Sequence, residues 1–193
     1  MSQTAILKKD ELSDEELVKL AKDKKNYLAF EKLLSRYERP IYNLSFKFMR
    51  NKEKAEEVTQ DTFLSVFRNL DNFRLESSFK TWIYRVATNF ALMKIRKNKR
   101  SKEFLSEDST LDTNITNRNS DPENAYEKME LTELIKDAIA KLPQIYRTAF
   151  LLRDVEGFSN QEVADILNIS LPALKSRILR ARLLMRDYLG EHI

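Results

Sequence analysis

The spacing of apolar residues predicts a series of helices over the first half of the chain. A capping box formed by Ser13 and Glu16 opens the first helix, and helical periodicity continues with interruptions to Arg100. An exposed arm, residues 1–12, precedes this predicted N-terminal domain, residues 13–100. Steps of three and four place one apolar series on a single helix face: Ala55, Val58, Thr62, Val66 and Leu70.

The periodicity collapses between residues 101 and 124, which are polar, acidic and rich in Ser, Thr, Asn and Asp. A stretch with so little apolar surface to bury cannot offset the entropy that is lost when a chain becomes ordered. We therefore expect a flexible acidic linker at residues 101–124 and a C-terminal domain at residues 125–193.

Four further helices are predicted beyond the linker. Pro143 terminates the first of them, and a second begins directly after it. Ser159 opens a short third helix through another capping box, and Ser170 caps a fourth that runs to about Tyr188. A short helix joined by a tight turn to a basic helix is typical of a helix-turn-helix.

The composition favours an all-α protein and disfavours most enzyme classes. Two glycines and four prolines among 193 residues are too few for the turns of a sheet protein. The chain has no cysteine, and its single histidine, His192, lies beside the C-terminus, so sites built on thiolates or on His-ligated metals are disfavoured. We expect no catalytic residue, no metal and no cofactor.

No apolar run approaches the roughly 18–20 residues of a membrane span, and no signal peptide is recognisable at the N-terminus. We therefore expect a cytoplasmic protein. The net charge of +4 is small, but charge runs basic, acidic, basic along the chain. Residues 94–102 hold six basic residues and no acid, and residues 172–186 hold five basic residues and no acid.

The acid-free fourth helix is the predicted recognition helix, whose N-terminal residues would reach base edges or phosphates of duplex DNA. An alternative is a solvated basic face on an ordinary helical hairpin. The candidate contacts are Pro172, Lys175, Ser176, Arg177, Leu179, Arg180 and Arg182.

The last helix of the N-terminal domain and the loop before it carry a second candidate DNA surface. At about 100° per residue, one sector of this helix combines an aromatic, an amide and two arginines, opposite an apolar face. Aromatics stack on unpaired bases, amides read base edges and arginines neutralise phosphates, which suits single-stranded DNA. Core packing is the alternative for Phe79, Trp82 and Tyr84. The full set is Phe73, Arg74, Ser77, Phe79, Lys80, Trp82, Tyr84, Arg85, Asn89 and Arg96.

The predicted helix over residues 54–70 has a different surface, with mixed charges around apolar side chains. Such a surface is typical of a protein-docking site, although many solvated helices share it. The candidate docking residues are Glu57, Gln60, Asp61, Phe63 and Arg68.

Three segments, in this order, resemble the extracytoplasmic-function class of bacterial sigma factors. Residues 55–70, AEEVTQDTFLSVFRNL, are similar to the segment that docks on RNA polymerase. Residues 73–91, FRLESSFKTWIYRVATNFA, are similar to the segment that melts and reads the −10 promoter element. Residues 142–182, from LPQIYRTAFLL to LPALKSRILRAR, resemble the domain that reads the −35 element.

The resemblance implies a promoter-specificity subunit rather than an enzyme. Its partners would be core RNA polymerase and promoter DNA, single-stranded at the −10 element and duplex at the −35 element. Gln60, Asp61 and their neighbours would bind the clamp helices of the polymerase, and the linker would thread the RNA exit channel. The resemblance also implies an anti-sigma factor as a partner. Because no apolar run is long enough to cross a bilayer, we expect no stable membrane insertion of this chain.

The chain departs from the family pattern in two places. Leu75 and Glu76 stand where many members carry glycine, which affects the shape of the −10 loop. Pro172, Ala173 and Leu174 stand where many members carry Gly-Thr-Val, so a hydroxyl that could bond a phosphate is missing.

Two other functions compete with this interpretation. A dimeric helix-turn-helix activator or repressor would leave the surface at residues 71–100 unexplained. A carboxylate-dependent nuclease would need a closely spaced acidic pair amid other catalytic groups, and the sequence offers none.

Overall fold

The computed structural model describes residues 12–22, 26–104 and 122–191. Within those ranges the chain forms helices joined by short turns and no strand, which confirms the all-α prediction. The chain divides into two compact units, residues 1–109 and residues 110–193, which we call the N-terminal and C-terminal units.

The N-terminal unit contains helices α1 (Asp14–Lys22), α2 (Tyr27–Met49), α3 (Lys52–Asn69) and α4 (Phe79–Phe104), with a 3₁₀ turn (Leu70–Asn72) after α3. The helices start where the sequence offers oxygen caps for their free N–H groups. Ser13 and Glu16 form the predicted capping box, with main-chain to side-chain bonds of 2.8 and 3.2 Å. Asn51 accepts from the Lys54 amide at 2.8 Å, and Ser78 accepts from the Thr81 amide at 3.1 Å.

The core of the N-terminal unit is built from the apolar faces of these helices. Each large aliphatic side chain that becomes fully buried stabilises the fold by roughly 1.5–3 kcal/mol. Pro40 lies inside α2 without ending it, flanked by the buried side chains of Tyr37 and Ile41. The largest fully buried side chains here are Leu17, Val18, Leu33, Ile41, Leu44, Phe79 and Ile83.

A polar network fastens α1 to α2. Arg36 Nη1 lies 2.8 Å from Asp14 Oδ1, and Arg36 Nη2 donates to the Leu12 carbonyl at 2.7 Å. The Tyr37 hydroxyl donates to the second oxygen of Asp14. Burial, and then the hydrogen bond with Asp14, raise the pKa of Tyr37 above its usual range, so the hydroxyl keeps its proton. α1 is therefore an integral part of the unit.

The C-terminal unit contains α5 (Pro122–Lys141), α6 (Gln144–Phe150), which continues into a π-helical turn (Leu151–Val155), α7 (Asn160–Leu167) and α8 (Leu171–Gly190). The predicted caps are confirmed: Ser159 and Glu162 form a capping box, and Ser170 accepts from the Ala173 amide at 3.4 Å. Asn168 ends α7 in the left-handed conformation, φ 51°, and so makes the tight turn before α8.

Helix α8 is anchored along its length by buried side chains. Its first half buries Leu174 and Ile178, in the same unit as the buried Leu152, Phe158 and Ile166. Its second half joins a cluster with α5, formed by Ala138, Leu142, Ala181 and Met185. The opposite side of the helix is left to solvent, as the sequence predicted.

The described helices reach further than the predicted domain limits. α4 continues to Phe104, past the predicted end at residue 100, and α5 begins at Pro122, before the predicted start at residue 125. Extending an existing helix, as at the end of α4, costs little free energy because each added residue gains one hydrogen bond. Proline suits the first turn of a helix, as at the start of α5. The rest of the predicted linker, residues 105–121, and the predicted arm up to residue 11 lie outside the described residues.

Candidate nucleic-acid interface

Helix α4 has the two faces that the periodicity predicted. Ile83 and Ala87 are buried, whereas Asn89 and Arg96 are exposed. Trp82 and Arg85, on the same side as Asn89, are half-buried. The Nε atom of Arg85 is buried and has no hydrogen-bond partner among the described residues, so the base of this guanidinium group is held by packing. The surface is therefore partly apolar at its N-terminal end and mainly polar further along, where the exposed Met93 lies between Asn89 and Arg96.

An aromatic cluster supports the N-terminal end of this surface. Phe73 stacks on Trp82 with ring centroids 4.7 Å apart and an angle of 19° between the planes. Phe79 meets Phe73 edge-on at 6.1 Å and Tyr37 at 5.3 Å. Phe73, Phe79 and Tyr84 are 6%, 0% and 3% exposed, which favours the core-packing alternative for these rings. Trp82 lies partly exposed on top of Phe73 and Phe79, with its ring 4.7 and 5.7 Å from theirs.

The loop between the 3₁₀ turn and α4 holds the remaining predicted residues. Arg74 is exposed and Ser77 half-buried, and Lys80 is exposed on the first turn of α4. Leu75 takes the left-handed conformation, φ 58°, that glycine adopts more easily, and its side chain is exposed. The loop thus keeps a glycine-like backbone at a position where this chain carries leucine.

The predicted docking surface on α3 is tied to α4 by a lysine that sequence reasoning did not find. Lys94 Nζ lies 2.5 Å from Glu57 Oε2 and 3.5 Å from Asp61 Oδ2. The hydrogen bond from Lys94, and then its charge, lower the pKa of Glu57. Since Lys94 belongs to the basic run of α4, this ion pair joins the docking surface to the candidate DNA surface.

Apolar side chains extend the docking surface. Phe63 is half-buried, while Phe67, which was not among the predicted docking residues, is 56% exposed. The Phe67 ring meets that of Phe30 edge-on at 5.2 Å. Gln60, Leu64 and Arg68 of α3 are also exposed, and so are Tyr27 and Leu28 at the start of α2.

The N-terminal half of α8 presents the predicted recognition residues to solvent. Pro172, Lys175, Ser176, Leu179 and Arg180 are exposed, and Arg177 is half-buried. Leu179 is 61% exposed although it is apolar, whereas Ile178 beside it is buried. The helix therefore offers two basic residues, a hydroxyl and an aliphatic group on one rigid surface.

Arg182 differs from the other recognition residues because it is already paired within the unit. Its Nε and Nη2 atoms lie 3.1 and 2.5 Å from the two carboxylate oxygens of Asp154. The hydrogen bonds from Arg182 to Asp154, and then the charge of Asp154, raise the pKa of Arg182. Asp154 belongs to the π-helical turn, 28 positions earlier in the chain, which is why no local pattern revealed it.

The protein is thus a two-unit helical protein, with a helix-turn-helix in one unit and a helix that carries aromatic and basic residues in the other. Such a combination fits recognition of DNA in both duplex and single-stranded form.

Comparison with known families agrees with this class. The family described as Sigma-70 region 2 matches residues 33–101, and Sigma-70, region 4 matches residues 132–185. ECF RNA polymerase sigma factor SigW of Bacillus subtilis is 34% identical over 169 residues, covering 84% of this chain and 90% of SigW. The ECF RNA polymerase sigma-E factor of Haemophilus influenzae is 34% identical over 180 residues, covering 90% of this chain and 93% of that protein.

The chain belongs to the extracytoplasmic-function RNA polymerase sigma factors. It is thus an initiation factor that directs RNA polymerase to promoters, and not an enzyme.

Solved structures share the fold. The sigma factor RpoE in complex with the anti-sigma factor NepR from Bartonella quintana aligns with a TM-score of 0.70 and 22% identity, covering 83% of this chain and 96% of that one. CnrH in complex with the cytosolic domain of CnrY aligns with a TM-score of 0.66 and 23% identity, covering 92% of this chain and 97% of that one. Among the described helices of the present chain, none has the length and apolarity required to span a bilayer.

Proposed function

We propose that the N-terminal unit docks on core polymerase and captures the melted −10 element, while the C-terminal unit reads the −35 duplex. The observation that carries this division is the contrast between α4 and α8. α4 offers a half-buried tryptophan resting on the buried ring of Phe73, followed by exposed polar and basic residues. α8 offers exposed side chains on a helix-turn-helix.

Capture of the −10 element would centre on Trp82, Arg85 and Asn89. The partly exposed ring of Trp82 would stack on an unpaired base, which is worth about 1–3 kcal/mol per base. Asn89 would bond a base edge, and Arg85 would meet a phosphate, with Arg74, Ser77, Lys80 and Arg96 around them. Phe73 and Phe79 would act from below, by holding the tryptophan ring in place, and the buried Tyr84 would stabilise α4 from the core.

Polymerase docking would use the α3 surface. Glu57, Gln60, Asp61 and Arg68 supply the polar part, and Phe63 and Phe67 the apolar anchors. A protein interface commonly surrounds a few aromatic anchors with a polar rim, and the exposed Phe67 suits the role of anchor. The clamp helices of the polymerase would present basic and apolar residues to this surface. Their basic residues would then compete with Lys94 for the carboxylates of Glu57 and Asp61.

Reading of the −35 element would use the exposed residues of α8. Lys175 and Arg180 can donate to guanine edges or phosphates, Ser176 can bond either, and Leu179 can pack against a thymine methyl group. Arg177, Arg182 and Pro172 would lie at the margin, closer to the phosphates. We further propose that the protein acts in the cytoplasm, where an anti-sigma factor holds it inactive, because a sigma factor of similar fold was solved with an anti-sigma factor bound.

Run-off transcription tests the proposal directly. The purified chain and core polymerase of the source bacterium would be incubated with a promoter library randomised at both elements. Transcripts should start at a defined distance from one selected pair of elements, and only when this chain is present. A gel-shift on the selected duplex, with and without core polymerase, provides the control. Tight duplex binding by the chain alone, without any defined start site, would instead indicate a helix-turn-helix activator or repressor.

A further inference from the structure

Lys22, the last residue of α1, reaches across the N-terminal unit to the loop before α4. Its ammonium group donates to the main-chain carbonyl of Phe73 at 2.5 Å and to that of Asp71 at 3.3 Å. The lysine is half-buried, and 49 to 51 positions separate it from its acceptors. Hydrogen bonds from a charged donor are roughly twice as strong as those between neutral groups. The contact therefore restrains the loop from a distant part of the sequence.

The restrained carbonyls are directly connected to Trp82. Phe73, whose carbonyl accepts from Lys22, stacks its ring on the indole at 4.7 Å. A shift of the Phe73 main chain would thus move the support beneath the tryptophan. Two residues later, Leu75 holds a left-handed backbone, which is unfavourable for a non-glycine residue and persists only where its surroundings fix it.

We propose that Lys22 is a positioning residue for capture of the −10 element. By fixing the Asp71 and Phe73 carbonyls it sets the loop, and through the Phe73 ring it sets the orientation of Trp82 before DNA arrives. Preorganisation of this kind spares the complex the entropy of ordering the loop on binding. The proposal rests on the proposed role of Trp82, and it adds that α1, which carries no candidate DNA contact, controls base capture.

The variants separate the ammonium group from the rest of the side chain. Lys22→Met keeps an apolar stem of similar length without donors, and Lys22→Arg keeps a charged donor. Lys19→Met is the matched control, because Lys19 is an exposed lysine in the last turn of the same helix. If Lys22→Met does not fold, Lys22→Gln replaces it, since its shorter amide cannot span both carbonyls.

Trp82 provides a reporter in the free full-length chain, because it is the only tryptophan. Acrylamide quenching of its fluorescence should increase in Lys22→Met and stay at the wild-type level in Lys22→Arg and Lys19→Met. Equal quenching in all four proteins would overturn the proposal. This readout requires neither polymerase nor DNA, so it is independent of the proposed function.

Holoenzyme assays measure the consequence. On a promoter selected by the wild-type holoenzyme, Lys22→Met should slow open-complex formation about tenfold, the size expected from losing hydrogen bonds to a charged group. Core binding by Lys22→Met should be unchanged, and the same deficit should appear on a template premelted at the −10 element. Lys22→Arg should restore the rate of open-complex formation. Loss of core binding in parallel, or full activity of Lys22→Met, would contradict the proposal. Failure of the wild-type chain to initiate would contradict the proposed function instead.

Discussion

The candidate −10 surface on α4 and the candidate −35 surface on α8 differ in how their side chains are held. On α8 the proposed contacts project from a helix whose opposite side is buried, and most of them are exposed. On α4 the central residues, Trp82 and Arg85, are half-buried and belong to the edge of the core. The difference corresponds to the proposed targets: a groove is read by side chains that reach outward, whereas an unpaired base needs a supported, partly apolar platform.

The two helices also differ in how one of their basic residues is paired. On α8, Asp154 of the same unit holds Arg182 at the margin of the recognition residues. On α4, Lys94 of the basic run is held by two carboxylates of the docking helix α3. The first pair offsets a charge on the candidate −35 surface, and the second links the candidate docking surface on α3 to α4, which carries the candidate −10 surface.

The largest effect is expected from Trp82→Ala. Loss of the stacking platform should reduce open-complex formation by about 10- to 100-fold, since stacking is worth about 1–3 kcal/mol per base. Binding to closed duplex through the −35 element should change little. Permanganate footprinting of the melted bases, beside a gel-shift of the closed complex at low temperature, measures both steps.

Phe67→Ala is the matched control, because it truncates an exposed aromatic of the same unit on the docking surface. It should weaken core binding and leave the melting step of the assembled holoenzyme intact. If Trp82→Ala impaired closed and open complexes equally, α4 would not differ from α8 in the way proposed.

Arg180→Glu should have the next largest effect, on the other unit. Reversing an exposed charge on the recognition helix should weaken −35 binding by about 30-fold, within the range for loss of a specific arginine contact. Binding to core polymerase should stay at the wild-type level in a fluorescence anisotropy titration. Lys136→Glu, on an exposed position of α5, controls for net charge. A parallel fall in core binding would refute the recognition role of α8.

Much of the fold could be predicted because its signals are local. The caps at Ser13, Ser159 and Ser170 need only residues three positions apart, and the faces of α4 follow from helical periodicity alone. The exposure of most candidate recognition residues on α8 could also be predicted. On a helix with one buried side, the exposed positions are determined by spacing.

The rest depends on contacts between residues that are distant in sequence. The burial of Phe73 arises because the loop folds back over α4, and Lys22 meets that loop across 51 positions. The pairs of Lys94 with Glu57 and of Arg182 with Asp154 join different helices. No spacing rule encodes such contacts, and charged residues on a helix look alike whether they are paired or solvated.

Asp154→Asn tests the ion pair on α8 and should have a smaller effect. Removing the carboxylate leaves the charge of Arg182 uncompensated beside the candidate −35 surface, so duplex affinity should rise about threefold at low salt. The slope of log affinity against log salt concentration should become more negative by up to about one unit, which corresponds to one more released counterion. Gel-shifts across a salt series measure both quantities. Glu191→Gln, which removes a charge from the exposed C-terminal end of α8, is the control. An unchanged salt slope would show that Asp154 does not influence the charge presented to DNA.

The smallest effect is expected from Lys94→Met, which removes the ion pair between α3 and α4. Because the Glu57 and Asp61 side chains are about half exposed, the melting temperature should fall only slightly. Lys94 lowers the pKa of Glu57, so the stabilisation is present above the ordinary pKa of a glutamate and is lost as pH falls through the lowered value. The difference in melting temperature between variant and wild type should therefore be constant near neutral pH and vanish in acid. Lys19→Met, which removes an exposed lysine from α1 of the same unit, should show no such pH dependence. If the difference in melting temperature persisted in acid, Lys94 would stabilise the unit through its aliphatic stem and not through the ion pair. The proposed competition between Lys94 and the polymerase for Glu57 and Asp61 would then lose its basis.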